Sequence, residues 1–201
     1  MQIEIQKLMP EHAEAYARFF EETPHSEKPN EKEFTCYCVW WCNDDHDVNN
    51  IEHLMKRELR REYAIQKIRE GRLKGYLAFY NGKVVGWCNA NAKADCLTCY
   101  CWRRFMGEVP VEEPGSVRVK SVFCFLIAPE FRRKGVAKLL LNRVCEDAKT
   151  DGFDVVEAYP MKEYVNEAVD FMGPAGLFFE SGFTLRGETQ DRLVVRKPLH
   201  T

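Results

Sequence analysis

No apolar run in this 201-residue chain approaches the ~18 residues that a membrane helix needs. The opening, MQIEIQKLMPEHAEAYARFF, lacks the basic head and apolar core of a signal peptide, so a cytoplasmic protein with no membrane partner is expected. A long block of one charge sign is missing as well. Lys and Arg number 29 against 31 Asp and Glu, a formal net charge of -2, which removes the electrostatic footprint of a nucleic-acid binder. Internal repeats and low-complexity tracts are absent. So are two phosphate-binding signatures, GxGxxG and a glycine followed by GK[ST], which leaves any phosphate recognition to some local device.

What is present is a 45% apolar, 30% charged composition, fitting one soluble α/β domain, and nine cysteines. Without a signal peptide those thiols are expected to be reduced. Cys36, Cys38 and Cys42 share one loop; Cys96, Cys99 and Cys101 share another. Four thiolates around zinc would suit such a pair of groups, yet only Cys96 and Cys99 have a spacing usual in structural zinc sites, and no metal is expected. His46 and His53 read as a solvated loop histidine and a polar helix-face histidine.

Periodicity sets the order of elements. Gln2 to Gln6 alternates like a strand, and Glu11 to Phe20 follows as an amphipathic helix. After the irregular stretch Thr23 to Asn50, the spacing of Ile51, Leu54, Met55, Leu59, Ile65 and Ile68 predicts one long helix ending near Gly71. In GYLAFYNGKVVGWCNA two strand-like runs flank Asn81 and Gly82, a pair that tolerates the positive φ of a tight hairpin. Ala92 to Gly115 is again irregular. From Val122 to Ala128 the chain is continuously apolar, as a strand covered on both faces is. Ala137, Leu140, Leu141, Val144, Cys145 and Ala148 then recur at helical spacing up to Gly152, and FDVVEAYP reads as another buried strand. Strand, helix and strand in that order imply a right-handed crossover and parallel pairing. The expectation is an α/β (α+β) domain: antiparallel hairpins first, a parallel pair later, helices on the faces.

Between the buried strand and the next helix lies APEFRRKGVA, with Arg132, Arg133 and Lys134 in the turn. A helix that begins there leaves its first amides unpaired at the positive end of its dipole, which is an anion site. Gly135, without a Cβ, admits a phosphate close to its backbone, and Ala137 keeps the first helical turn small. A solvated basic turn is the plainer reading of the same residues.

These residues resemble the acyl-CoA pyrophosphate loop of the GNAT superfamily of N-acyltransferases: a strand, Pro129, then Arg132-x-x-Gly135-x-Ala137. GKVVGWCNA is similar to that family's third strand, and LFFESGF to its late helix and the Gly-Phe that opens the next strand. With VFCFLIAPEFRRKGVAKLLL, VEAYP, FMGPAGLFFESGF and the early CYC, the chain looks like one bacterial subgroup. The likeness covers roughly residues 73–199 well and the first 70 poorly, and it implies a single domain with 73–201 as the acyl-CoA-binding core and 1–72 as a helical, loop-rich acceptor side.

The resemblance implies acetyl-CoA as cosubstrate, no metal, an amine acceptor of small-molecule or peptide type, and possible homodimers. Carried over by position, Phe125 and Ile127, with Leu126 between them, would offer backbone groups to the acetyl carbonyl and pantetheine, and the run Arg132, Arg133, Lys134, Gly135, Val136 and Ala137 would hold the pyrophosphate. The fourth and fifth strands would splay apart around the thioester. Where members often carry a proton-donating tyrosine, this chain has Phe178, which would border the cofactor but cannot donate.

On VEAYP, Glu157 and Tyr159 are two apart and share a face. A carboxylate in a buried strand is costly unless paired or used, so Glu157 is the base candidate and Tyr159 the acid candidate. The alternatives are a salt-bridged structural carboxylate and a packed tyrosine. Cys124 adjoins the acetyl-contact strand, yet with no neighbouring histidine it reads as a small apolar core residue. Trp40, Trp41, Tyr100, Trp102, Asp44, Asp45 and Asp47 suit either a pocket for a small cationic amine or loops over a core. Three functions compete: an N-acetyltransferase working by direct transfer, a non-catalytic acyl-CoA-binding module, and a thiol-based metal or redox protein.

Overall fold

A computed structural model describes residues 1–23, 35–43, 54–163, 165 and 170–200. Its strands are β1 (Glu4–Lys7), β2 (Gly75–Tyr80), β3 (Lys83–Ala92), β4 (Val119–Ile127), β5 (Val155–Ala158), β6 (Thr184–Glu188) and β7 (Leu193–Pro198). The helices are α1 (Ala13–Glu22), α2 (Arg57–Arg69), α3 (Tyr100–Phe105), α4 (Val136–Thr150) and α5 (Ala175–Glu180). The strands form a 7-stranded sheet in the order β1-β2-β3-β4-β5-β7-β6. Every pair is antiparallel except β4 with β5, the pair expected to be parallel. The fold is the expected mixed sheet with flanking helices.

The β2–β3 hairpin turns at Asn81 and Gly82, with φ of 48° and 75°, as the Asn-Gly pair requires. β3 then carries both layers of the core. Trp87 meets Tyr16 of α1 edge-on at 4.8 Å, while a Cβ at Gly86 would lie 3.1 Å from Val136 of α4. That glycine lets α4 close on the sheet. α4 buries Val136, Leu140, Leu141, Val144, Cys145 and Ala148, the face read from spacing apart from its first member. Each such large aliphatic side chain contributes about 1.5–3 kcal/mol by leaving water.

α2 begins at Arg57, later than the spacing predicts, after Lys56 in extended conformation; Ile51 and His53 lie outside the described residues, as do His46, Asp44, Asp45 and Asp47. Its buried Arg60 ties down the chain on either side, donating from Nε to the Thr35 carbonyl (2.8 Å) and from Nη1 to those of Leu54 and Met55 (2.7 and 2.8 Å). The segment 35–43, with the first cysteine group, is thereby anchored to α2. The stretch read as irregular from Ala92 contains a short 3-10 turn and α3. β7, unannounced by any periodicity read above, inserts between β5 and β6.

Candidate active site

Pairing of β4 with β5 ends at Val122 and Ala158, while β4 runs on to Ile127. Past that point the two strands no longer share a ladder, and a gap opens along one edge of β4. The Ala128 amide donates to the Val85 carbonyl at the end of the β3 ladder, so strand alternation turns the amides of Ile127 and Phe125 the other way, into the gap. The Phe125 amide is engaged there: it donates to the Phe171 carbonyl at 2.6 Å. Backbone from the segment before α5 thus stands beside β4 where a fifth-strand neighbour is missing.

Beyond β4 the chain makes a 3-10 turn at Pro129–Phe131 and reaches α4 through two left-handed residues, Arg133 (φ 60°) and Gly135 (φ 82°). Gly135 is the N-cap of α4 and makes no side-chain cap, so the first amides of a 15-residue helix face the turn. No atom lies within 4 Å of where its Cβ would be, leaving open space above the backbone. This is the geometry that an anion-binding helix N-terminus needs.

Turn and gap belong to one cleft of about 980 Å³. Arg132, Arg133, Gly135, Val136, Ala137 and Lys138 line one end, and Phe125, Leu126 and Ile127 the middle. Arg132 also donates from Nε to the Ile127 carbonyl (3.1 Å), bracing the turn against β4. Lys134 is outside the lining, with its ammonium 5.8 Å from the centre of the Phe131 ring. Lys138, one helical turn past Lys134, takes part in its stead; the sequence reading missed it although its spacing from Gly135 was the available signal.

The sequence model of the Acetyltransferase (GNAT) family matches residues 38–172. The chain belongs to the GNAT acetyltransferase family. Solved structures agree in fold. A GNAT-family acetyltransferase from Streptococcus pneumoniae is 17% identical, with a TM-score of 0.55 over 99% of this chain and 100% of that one. The PaiA N-acetyltransferase of Thermoplasma acidophilum, solved in complex with coenzyme A, is 15% identical, with a TM-score of 0.54 over 98% of this chain and 99% of that one. The ribosomal-protein-S18-alanine N-acetyltransferase of Escherichia coli is 13% identical, with a TM-score of 0.52 over 100% and 96%. No curated protein matches the sequence. Among the described residues no helix is long and apolar enough to cross a membrane.

In this GNAT acetyltransferase the sequence-predicted base and acid lie outside the cleft lining. Glu157 has no exposed surface. Its Oε1 accepts from Tyr159 Oη (2.7 Å) and pairs with Lys93 Nζ (2.8 Å), and its Oε2 pairs with Arg196 Nε. Lys93 and Arg196 both also pair with Glu112. Burial alone would raise the Glu112 carboxyl, but hydrogen bonds from Lys93 and Arg196 hold it below its ordinary value. Tyr159 Oη shares a second hydrogen bond with Ser121 Oγ (2.6 Å), and its ring stacks on Phe123 at 5.8 Å. Burial first, then the charge of Glu157, pushes the Tyr159 hydroxyl well above its usual value. Phe178, also outside the lining, is fully buried and packs edge-on against Phe183 at 5.4 Å.

The far end of the GNAT cleft is lined by Trp40, Trp41 and Phe105, with four thiols, Cys36, Cys38, Cys101 and Cys124. Tyr100 and Trp102 are not part of it; Tyr100 backs Trp40 at 5.2 Å. Asp170 and Glu180 are the carboxylates in the lining, and Asp170 is buried next in sequence to the Phe171 carbonyl that caps Phe125. Neither acid was singled out from the sequence, and no periodicity marks them. The two cysteine groups meet at this end of the cleft, where Cys101 joins Cys36 and Cys38 in the lining. The neighbouring thiols of Cys124 and Cys36, with burial, raise the Cys38 thiol well above its ordinary value, and Cys99 with burial does the same for Cys96, which donates to the Trp41 carbonyl (3.5 Å). Among the described residues no group of three or more such side chains is arranged to hold a metal ion.

Proposed function

We propose that this acyltransferase moves an acetyl group from acetyl-CoA to a primary amine, of a small molecule or a peptide, by direct transfer within one ternary complex. The observation that carries the reading is the continuity of the cleft. It runs from the uncapped N-terminus of α4 at Gly135, past the unpaired edge of β4, to an aromatic end built from segment 35–43 and α3. A volume near 980 Å³ is at the upper end of what small-molecule sites enclose. The solved complexes of the Thermoplasma enzyme with coenzyme A and of a Salmonella typhimurium acetyltransferase with acetyl-CoA support the choice of cosubstrate.

The fit rests on this chain's own groups. Amides at the start of α4 and the side chains of Arg132, Arg133 and Lys138 would hold the pyrophosphate through charge-assisted hydrogen bonds. Leu126 and Ile127 would flank the pantetheine arm. The Phe125 amide would stabilise the tetrahedral oxyanion once the Phe171 carbonyl has moved from it, so cosubstrate entry is coupled to displacement of residues 170–173. Taking a proton from the attacking ammonium needs a base in reach of the cleft. Glu157 and Tyr159 keep that role only if the network around them opens; their ion pairs and hydrogen bonds support a structural task instead. Asp170, inside the lining, is the base this geometry favours. Residues 1–72 would form the acceptor side of a single domain.

Calorimetric titration of acetyl-CoA, followed by a thiol-release screen of amines on the same sample, tests the reading. Binding with amine-dependent release is expected. Binding with no responsive amine would leave an acyl-CoA-binding module, and absence of binding would reduce the turn at Gly135 to a basic loop.

A further inference from the structure

The acetyl transfer proposed above does not use the sulfur cluster at the far end of the cleft, and that cluster is built with some care. Tyr37 and Cys38 are consecutive non-glycine residues at positive φ, 46° and 51°. Such backbone is strained for an L-residue and persists only where the surroundings over-determine it. Here they do: Tyr16 Oη donates to the Tyr37 carbonyl (2.9 Å), and Arg60 Nε holds the Thr35 carbonyl at 2.8 Å. The consequence is the placement of one sulfur. Cys38 Sγ accepts from the Trp87 indole Nε1 at 3.3 Å, and the neighbouring thiols of Cys124 and Cys36, together with burial, push its own thiol well above the ordinary value. Cys36 Sγ in turn accepts the Cys38 amide at 3.4 Å. None of the nine cysteines is in a disulfide, and Cys36 alone is not buried. Cys36, Cys38 and Cys124 all line the cleft.

We propose that Cys36 and Cys38 form an exchange-active dithiol that takes the disulfide form of the cosubstrate thiol, coenzyme A disulfide, with Cys36 as the entry thiol and Cys38 as the resolving one. The choice of disulfide rests on the acyl-CoA reading of the cleft, whose anion-binding turn would hold one coenzyme A moiety with its sulfur toward the thiols. The Cys36 thiolate attacks one sulfur of the ligand; the ligand's S–S bond breaks, and the first coenzyme A leaves as a thiolate that takes up a proton. Cys38, as its thiolate, then attacks the Cys36 sulfur and expels the second coenzyme A. In balance, one small disulfide is reduced to two thiols while Cys36 and Cys38 are oxidised to one protein disulfide. Bridging across a single intervening residue makes that disulfide of the labile kind that small thiols reopen. An adduct on Cys36 would fill the aromatic end of the cleft, so acetyl transfer would fall as the thiol pool becomes oxidised.

The test follows the reduced chain by intact mass and peptide mapping with coenzyme A disulfide and, separately, 2-hydroxyethyl disulfide. Wild type should pass through a coenzyme A adduct to a chain lacking two hydrogens, cross-linked between Cys36 and Cys38. Cys38→Ser should stop at an adduct on Cys36, Cys36→Ser should react roughly tenfold or more slowly, and Cys145→Ser should behave as wild type; Cys38→Ala replaces the serine variant if its melt shows misfolding. An adduct that maps elsewhere, or that forms unslowed in Cys36→Ser, overturns the proposal. No exchange with either disulfide by a chain that binds acetyl-CoA overturns it while leaving the transferase reading standing. Equal exchange with both disulfides by a chain that does not bind acetyl-CoA overturns the ligand assignment together with that reading.

Discussion

Replacing Glu157 with glutamine separates a catalytic carboxylate from a structural one. Two carboxylates, Glu157 and Glu112, face two cations, Lys93 and Arg196, and both oxygens of Glu157 are ion-paired. Glutamine keeps the shape but removes one negative charge, and its amide group must turn a donor toward Lys93 or Arg196. One buried cation is then left without a full partner. Breaking a buried pair in this way costs about 3–5 kcal/mol. At ~2–4 °C per kcal/mol for a chain of this size, Glu157→Gln should lower the melting temperature by roughly 10 °C. Where the variant is still folded, acetyl transfer should fall only in proportion to the folded fraction. The assay pairs a thermal melt with initial rates across pH. A melt within about two degrees of wild type, joined to a hundredfold loss of turnover and a vanished acidic limb, would refute the structural reading and make Glu157 the base.

Three further outcomes are expected. Gly135→Glu should abolish acetyl-CoA binding in calorimetry while its left-handed backbone costs about 1–2 kcal/mol in the melt; unchanged affinity would remove the pyrophosphate from this turn. Gly173 is at φ 88° with the Phe125 ring 3.2 Å from where a Cβ would be, so Gly173→Ala should push the 170–173 segment off β4 and speed hydrogen exchange of the Phe125 amide; unaltered protection would count against that coupling. Lys120 is buried on β4, and burial, ahead of repulsion from Lys7, lowers its ammonium to about 8. Between that value and its unfolded pKa the unfolded chain binds more protons, so this group's contribution rises with pH. Lys120→Met should therefore stabilise the protein by on the order of 2–3 kcal/mol near pH 7, after loss of a cation–π contact, and the gain should shrink above pH 8. A gain independent of pH up to 10.5 would mean that burial leaves the Lys120 ammonium at its ordinary pKa.

Local signals carried the parts of the fold that local physics decides. Asn81-Gly82 specifies its hairpin because few other residues accept positive φ in succession. The run Val122–Ala128, the turn at Gly135 and the helical stripe after it are legible because burial period and dipole geometry act over a few residues. Partners brought from a distance are not. Nothing in VEAYP shows that Lys93, Glu112 and Arg196 would surround Glu157, since they come from three separate segments and meet only after the sheet closes. The same holds for Cys38 and Cys124: grouping cysteines by loop joins Cys36 with Cys42, while the fold sets Cys38 against β4. Asp170 lies in a stretch without period, and only the ending of β5 gives its neighbour Phe171 a ladder position beside Phe125.

The origin of the gap is a further step that residue patterns hide. Along β3 and β4 the register runs Asn89 with Cys124 and then Ala90 with Val122, so Phe123 is an extra residue without a partner opposite it. A bulge of this kind bends its strand and increases its twist. It falls one residue past Val122, where pairing of β4 with β5 stops. The bulge therefore swings the last part of β4 away from β5, directs the amides of Phe125 and Ile127 into the opening, and stacks Phe123 on Trp41 at 4.3 Å and on Tyr159 at 5.8 Å. Those stacked rings form a wall with Cys124 and the cleft beyond it and the Glu157 network behind. One unpaired phenylalanine thus stands between the buried ion pairs and the cleft, which is why Glu157 on β5 and Tyr159 just past it lie outside the cleft lining.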